Sequence, residues 1–405
     1  MPDLAIVADD LSGASEAAAA FLLRTTRIEV LLGEHEGATA VPAAARVVAV
    51  DTDSRRSDPV EAAARVRSAL ALCHGAPVLK KVDSLLRGNL ASEVAALRDA
   101  LDVMPVVATA LPEADRKVID GVLRVGGVPL PDTGLWHAEQ RPAPRTVADA
   151  LAPLGTVTVP LAAVRRGARH LAATLAAAAS ARLVAVCDAE TDADLDAVYA
   201  AARLAADRPL LVGSAGLAAA AARAMPPDPP GPADAVAAPT AAAVLVVAGT
   251  AAASLRAQLA AVEPEADVVL RCDPQALLDD PSTVRREVTA RLDTARCAVV
   301  SLDDRAGIRP DLAPRLVCAL AAAVAPAATD GRALVLTGGE TARAVLDRLG
   351  VARLRPVAQR AGAVLSYAGT GQVVVTRPGS FGGPTSLADL ARTVLADPCP
   401  EKEPR

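Results

Sequence analysis

Short apolar runs alternate with alanine-rich helical stretches along almost the whole chain, and this alternation restricts the fold more than any other feature. Strand candidates before residue 224 are Leu4–Ala8, Ile28–Leu32, Val47–Val50, Val78–Lys80, Val106–Thr109, Val157–Val159, Leu183–Val186 and Leu210–Val212. Between them lie helix candidates at Ala14–Leu23, Pro59–Leu72, Leu90–Leu101, Val164–Ala179, Asp192–Ala206 and Ser214–Ala224. The pattern predicts an α/β protein whose mainly parallel sheets are flanked by helices. One break interrupts it. Met225 to Thr240 reads MPPDPPGPADAVAAPT, and its prolines remove backbone donors and favour extended chain. The sequence therefore divides into a domain at 1–224, a linker at 225–240, a second α/β domain at 241–397 and a charged tail at 398–405. In the second domain the alternation resumes at Val244–Ala248 and ends with strand-like runs at Ala363–Ser366 and Gln372–Thr376 and a helix at Leu387–Leu395.

Composition narrows the function. Aromatic residues make up 1% of the chain, so stacking platforms for single-stranded nucleic acid are nearly unavailable. The net charge of −5 draws the protein neither to nucleic acid nor to anionic lipid. The six cysteines include no CxxC spacing, so neither a zinc knuckle nor a disulfide scaffold is expected. The acidic N-terminus does not read as a secretory leader, and the longest uncharged run, Thr240 to Leu255, is too short to span a bilayer. A cytoplasmic protein without membrane or nucleic-acid partners is the expectation. Whether it forms a homo-oligomer stays open.

Parallel sheets bind ligands at the carboxyl ends of their strands, so the loops there carry the argument. The first strand runs into Asp9-Asp10-Leu11-Ser12-Gly13, which suits a general base or a magnesium-linked group and equally suits a helix N-cap. The third runs into Asp51-Thr52-Asp53-Ser54-Arg55-Arg56, where a guanidinium can grip a carboxylate or phosphate. The fourth runs into Lys80-Lys81-Val82-Asp83-Ser84-Leu85-Leu86-Arg87-Gly88-Asn89. Lys81, Ser84, Arg87 and the amides of the following helix can together hold an anion, and Asp83 can orient a cation or accept a proton. Gly213-Ser214-Ala215-Gly216 reads first as close helix packing. The three acidic and basic loops fit a polar, anionic small molecule.

The second domain has glycine-rich turns after its strands: Gly249 to Ser254, Thr337-Gly338-Gly339-Glu340-Thr341, and Arg377-Pro378-Gly379-Ser380-Phe381-Gly382-Gly383. Glycine lets backbone amides approach phosphate oxygens. None of the turns fits GxxxxGK[ST] or GxGxxG, so neither a P-loop nor a dinucleotide fingerprint is present.

Taken together, ADDLSGA, DTDSR, KKVDSLLRGN, GSAGLA, GGETA and RPGSFG occur here in the order of the four-carbon acid sugar kinase family, and the chain resembles that family over nearly its whole length. The resemblance implies an acid-sugar-binding N-terminal domain, an ATP-binding C-terminal domain and an active site in the cleft between them. It implies phosphorylation of the terminal hydroxyl of a tetronate by ATP with Mg2+. Carried over by position, Asp9, Asp10, Arg55, Lys81, Asp83 and Ser84, with Arg87 beside them, contact the acid. Gly338, Gly339, Glu340, Thr341, Gly379, Ser380 and Gly382 contact ATP, with Thr250 or Ser254 in place of a missing serine. Magnesium ligands are not assigned. Two departures stand out: Asp115-Arg116-Lys117-Val118 replaces the family's GRTT, and Gly249-Thr250-Ala251-Ala252 replaces GSCS.

The expected mechanism has Arg55 and Lys81 holding the substrate carboxylate. Asp10 or Asp83 takes the hydroxyl proton, and the glycine-lined turns and Mg2+ hold the phosphates. Two rivals remain at this point. One is a hydroxy-acid dehydrogenase or isomerase on a similar sheet. The other is a sugar-acid sensor that has lost activity.

Overall fold

The computed structural model describes residues 1–33, 42–136, 139, 141–229, 239–249, 253–303, 312–328, 331–379 and 382–395. They fall into two compact units, one formed by the described residues up to 229 and the other by those from 239 onward.

The first unit opens with β1 (Leu4–Ala8), α1 (Leu11–Ala19), β2 (Ile28–Leu32), β3 (Val47–Asp51), α2 (Pro59–Leu72), β4 (Val78–Lys81), α3 (Leu90–Leu101) and β5 (Pro105–Ala108). A small antiparallel sheet follows: β6 (Arg116–Ile119), β7 (Val122–Val125) and β8 (Val128–Pro129). The unit closes with α4 (Val147–Leu151), β9 (Thr156–Val159), α5 (Leu161–Val164), α6 (Ala168–Ser180), β10 (Val184–Cys187), α7 (Asp192–Ala205), β11 (Leu210–Gly213) and α8 (Ala215–Ala224). Its main sheet runs β2-β3-β1-β4-β11-β5-β10-β9 and is parallel throughout. Strands such as LAIVA and VVAVD are buried on both faces, which explains their unbroken apolar runs.

Two rows of helices cover this sheet: α1, α8, α7 and α6 pack in succession, and α2, α3 and α4 form the other row. The chain leaves β1 toward the first row and leaves β3 and β4 toward the second. The loops after β1, β3 and β4 thus diverge around one point, where open α/β sheets form their ligand crevice.

The second unit contains β12 (Ala243–Ala248), α9 (Ala253–Val262), β13 (Val268–Cys272), α10 (Pro274–Asp279), α11 (Pro281–Leu292), β14 (Cys297–Leu302), α12 (Ala313–Val324), β15 (Arg332–Thr337), α13 (Gly339–Arg348), β16 (Arg353–Arg360), β17 (Ala363–Ala368), β18 (Val373–Arg377) and α14 (Ser386–Val394). Strands β13-β14-β12-β15-β18 are parallel, and β17 and β16 continue the sheet antiparallel. Its core joins the sheet's Val and Leu residues to Leu387, Leu390, Ala391 and Val394 of α14. Among the described residues no helix is long and apolar enough to cross a membrane.

Several expected boundaries are corrected. The helix expected at Ala14–Leu23 starts earlier, at Leu11, because Asp10 caps it: Oδ1 accepts the Gly13 amide at 3.0 Å. The single helix expected at Val164–Ala179 is two, separated where Gly167 adopts a φ of 98°. The small sheet β6-β7-β8 and strand β16 were not among the expected strands. Residues 230–238 of the proline-rich segment and the tail from 396 lie outside the described residues.

Candidate active site

The loops after β1, β3 and β4 bring the acidic and basic candidates of the first unit into one cluster, and Arg55 is its hub. Its Nε and Nη2 donate to the two oxygens of Asp9 at 2.7 and 2.9 Å, and Nη2 also reaches Asp10 Oδ1 at 2.7 Å. Nη1 lies 3.9 Å from Asp83. Burial works against the Arg55 charge, but Asp10, Asp9 and Asp83 outweigh it and hold the guanidinium well above its usual range. For Asp9, burial pushes upward and Arg55, with Lys80 and Lys81 behind it, pulls harder; the carboxyl stays below the usual range. Arg55 is therefore largely engaged by the protein's own carboxylates, with Nη1 as its uncommitted edge.

Asp83 is held as tightly. Arg87 grips it with two bonds of 2.7 and 2.8 Å, and the Leu85 and Arg87 amides donate to its Oδ2. Burial again opposes ionisation, and Arg87, Arg55 and Lys81 override it, so the carboxyl lies far below the usual carboxylate range. Such a carboxylate shapes the loop and makes a weak base. Asp10 is different. Its Oδ1 takes the Gly13 amide and Arg55, while Oδ2 has no hydrogen-bond partner among the described residues.

Adjacent strand residues point to opposite faces, and the two lysines of β4 illustrate it. Lys81 turns toward α1. An added Cβ on Gly13 would stand 3.0 Å from Lys81 Nζ and 2.6 Å from Asp10 Oδ1. Lys80 turns toward α3, where its Nζ sits 2.9 Å from Glu93 Oε2. Glu93 Oε1 accepts from Ser54, Ser54 and Thr52 share a 2.7 Å hydroxyl contact, and Thr52 donates to the Ala8 carbonyl. This chain of buried groups ties α3 to the three loops.

We expect Gly13→Ala to lower activity with little loss of stability. The helical backbone tolerates alanine, but the new methyl pushes Asp10 and Lys81 apart. Steady-state kinetics beside a thermal melt checks this; an active variant would show that the Asp10–Lys81 spacing is not needed.

In the second unit Gly338 joins β15 to α13 as the helix N-cap, Gly339, Glu340 and Thr341 open α13, and Gly379 and Gly382 follow β18. The Gly338 amide donates to the Arg377 carbonyl at 2.9 Å, so the two turns are adjacent. Gly249, after β12, lies against Thr341: a Cβ there would meet its hydroxyl at 2.3 Å. Three turns thus meet over one end of the sheet. Beneath them Arg377 is buried, and burial lowers it to about 10. Thr250, Ser380 and Phe381 lie outside the described residues, as does the side chain of Ser254.

Two family models match the chain. A family model described as a sugar-binding N-terminal domain matches residues 4–221, and one described as a nucleotide-binding C-terminal domain matches residues 245–387. A D-threonate kinase of Cupriavidus necator is 36% identical over 86% of both chains. This chain belongs to the four-carbon acid sugar kinase family. A 3-oxo-tetronate kinase of Methylobacterium radiotolerans is 33% identical, covering 94% of this chain and 96% of its own. A D-erythronate kinase of Heliobacterium modesticaldum is 31% identical, covering 77% and 74%. Two solved structures share the fold. A Salmonella typhimurium protein described as a putative tRNA synthase has a TM-score of 0.79 at 21% identity, covering 96% of this chain and 99% of its own. A Haemophilus influenzae protein has a TM-score of 0.68 at 22% identity, covering 94% and 97%.

Sequence reasoning missed three residues of this candidate site. Arg116, at the start of β6, donates to the Ser84 hydroxyl, so the small sheet brings the second residue of the Asp115-Arg116-Lys117-Val118 departure onto the β4 loop. Lys80 was read only as part of a cationic loop. Glu16, on α1, faces Lys81. None lies in a spacing that announces a site, although a carboxylate one helical turn after Gly13 was a usable signal. The GSAGLA segment has the packing role expected of it. A Cβ on Gly213 would stand 2.4 Å from the Ala108 carbonyl, and one on Gly216 would stand 2.7 Å from that of Ala110.

Proposed function

We propose that this member of the acid sugar kinase family transfers the terminal phosphoryl group of ATP to a hydroxyl of a four-carbon sugar acid. In this reading the N-terminal domain expected at 1–224 binds the acid and the domain expected at 241–397 binds the nucleotide. The observation that carries it is the arrangement of the first unit's cluster. Arg55 and Arg87 are already paired with Asp9, Asp10 and Asp83, while among the described residues the Lys81 ammonium has only a 3.2 Å bond to the Val82 carbonyl and a 3.7 Å approach to Glu16. Lys81, Arg116 and the Ser84 hydroxyl hold the substrate carboxylate, with Arg55 Nη1 behind them. Asp10, through Oδ2, accepts the hydroxyl proton as phosphorus approaches. Asp83 positions the Lys80–Asn89 loop through Arg87.

The amides of Gly339 and Gly382, with Glu340 and Thr341, receive the phosphates, and Gly338, its own amide held by the Arg377 carbonyl, shapes the turn beside them. Among the described residues no three acidic, His or Cys side chains form a metal cage. Mg2+ retains water and phosphate ligands and needs few carboxylates, so this donor set fits a Mg2+ that arrives with the nucleotide, with Glu340 reaching it. Its contribution is neutralisation of phosphate charge.

The test is an ATP-consumption screen of the purified protein against three- to six-carbon sugar acids. Lys81→Ala runs alongside. Turnover with a four-carbon acid is expected, and Lys81→Ala should raise KM for that acid about tenfold or more while KM for ATP stays put. Binding of acids without ATP consumption would favour a sensor instead.

A further inference from the structure

One partly buried carboxylate at this site has no task in the mechanism above. Glu16 lies on α1 one turn after Gly13, so both face Lys81. Its Oε2 is 3.7 Å from Lys81 Nζ, beyond hydrogen-bond distance, and its side chain is only 14% exposed. Among the described residues no donor reaches its carboxylate. Lys81 comes from β4, Asp10 from the turn before α1, Glu113 from the segment between β5 and β6, and Arg116 from the start of β6. Burial raises the Glu16 carboxyl above its usual range; Glu113 and Asp10 add to the rise, and Lys81 and Arg116 oppose it.

A partly enclosed acceptor to which the protein brings no donor is met by water or by a ligand. An acceptor left unmet beside the cation that receives the substrate is placed to take a donor from the substrate itself. Hydroxyl groups are donors. The carbonyl of an oxo acid offers only lone pairs, which a carboxylate repels.

We propose that Glu16 is a specificity residue: it accepts a hydrogen bond from a hydroxyl of the bound acid and thereby selects a fully hydroxylated four-carbon acid over its 3-oxo counterpart. This rests on the sugar-acid kinase reading and goes further by naming the substrate class. Sites built to bond a hydroxyl discriminate strongly against analogues lacking it, since the protein's own group is then left unpaired. Glutamine at this position keeps one acceptor and adds a donor that a carbonyl can use.

The experiment compares kcat/KM for threonate, erythronate and 3-oxo-tetronate in the full-length wild type, Glu16→Gln and Glu16→Asp, with ATP saturating. The wild type should prefer a hydroxy acid by about tenfold or more. Glu16→Gln should lose about tenfold on that acid, mainly through KM, and raise the oxo-to-hydroxy ratio by about tenfold. Glu16→Asp keeps the carboxylate and should keep the wild-type preference at a higher KM. Wild-type kcat/KM for the hydroxy acid should also fall as the pH drops through the raised Glu16 range, and Glu16→Gln should lack that limb. A wild type that prefers the oxo acid overturns the proposal. So does a ratio unchanged within about twofold in Glu16→Gln, or an equal loss on all three acids in both variants. In each of those cases the wild type still turns over, so the kinase reading survives. A wild type that phosphorylates no acid ends both.

Discussion

Asp10→Asn should slow turnover by about a hundredfold to ten-thousandfold, the range that loss of a positioned general base produces. The substitution is mild for the fold. Asparagine is as good a helix N-cap as aspartate, and its oxygen can still accept the Gly13 amide, now 3.0 Å from Oδ1. Arg55 loses one charged partner but keeps both bonds to Asp9. What disappears is the one carboxylate oxygen of the Arg55 cluster that, among the described residues, is clear of a protein donor. Asp9 has both oxygens on Arg55, and Asp83 is bound by Arg87 and two amides. Rapid-quench measurement of a single turnover, with nucleotide binding measured separately, isolates the chemical step. An Asp10→Asn variant that reacts at the wild-type rate would remove Asp10 from the proton's path. Asp83→Asn gives the contrasting case: with the Arg87 pair weakened, the loop loosens and KM for the acid should suffer along with kcat.

The loop that carries Asp83 was readable from the sequence because it follows an apolar strand and crowds lysine, arginine and a hydroxyl into one turn. Helices α2 and α3 were readable to the residue. Asp58 and Pro59 mark the start of the first, and Leu90 opens an apolar stripe in the second. The partnering inside the cluster was not readable. Arg55 and Asp9 are far apart in sequence, and only the β1–β3 pairing, Ala8 opposite Asp51, brings them together. An arginine expected to hold substrate thus proves to be held largely by the protein. Strand β16 escaped for a local reason: RLRPVAQR carries a proline, and the register with β17 shifts at Pro356 and Ala358, so the alternation that marks a strand is broken. The β6-β7-β8 sheet escaped because RKVI and VLRV are short, carry charges and are partly exposed, so they lack the unbroken apolar runs that mark the buried parallel strands. Its Arg116 therefore had no strand end to draw attention to it.

The second large effect is one of stability, at a pair that touches no substrate. Lys80 is 0% and Glu93 2% exposed, and their ion pair spans 2.9 Å between β4 and α3. Burial raises the Glu93 carboxyl, and Lys80 draws it back toward the ionised form. Lys80→Met removes the compensating charge and leaves a buried carboxylate whose remaining partner is the Ser54 hydroxyl. Breaking such a pair from one side costs about 3–5 kcal/mol. Urea unfolding followed by the fluorescence of Trp136, the single tryptophan of the chain and a buried residue of the first unit, reads this loss in the unit that carries the pair. The sign of the pH dependence follows from the raised carboxyl. A protonated Glu93 needs no counter-charge, so the deficit of Lys80→Met should be smallest in acid and grow as the pH rises through the folded-state value. Lys80→Met combined with Glu93→Leu removes both charges and should recover much of the stability, because apolar replacements of buried ion pairs are often neutral. It should not recover full activity. Glu93 also holds Ser54, whose amide bonds the Asp9 carbonyl and whose own carbonyl takes Asn89 at 2.9 Å, and Arg55 is the next residue. With Glu93 gone, the loop that aims Arg55 at Asp9 and Asp10 loses its brace. A double variant both as stable and as active as the wild type would confine the pair to bulk stability and deny it any part in positioning the site.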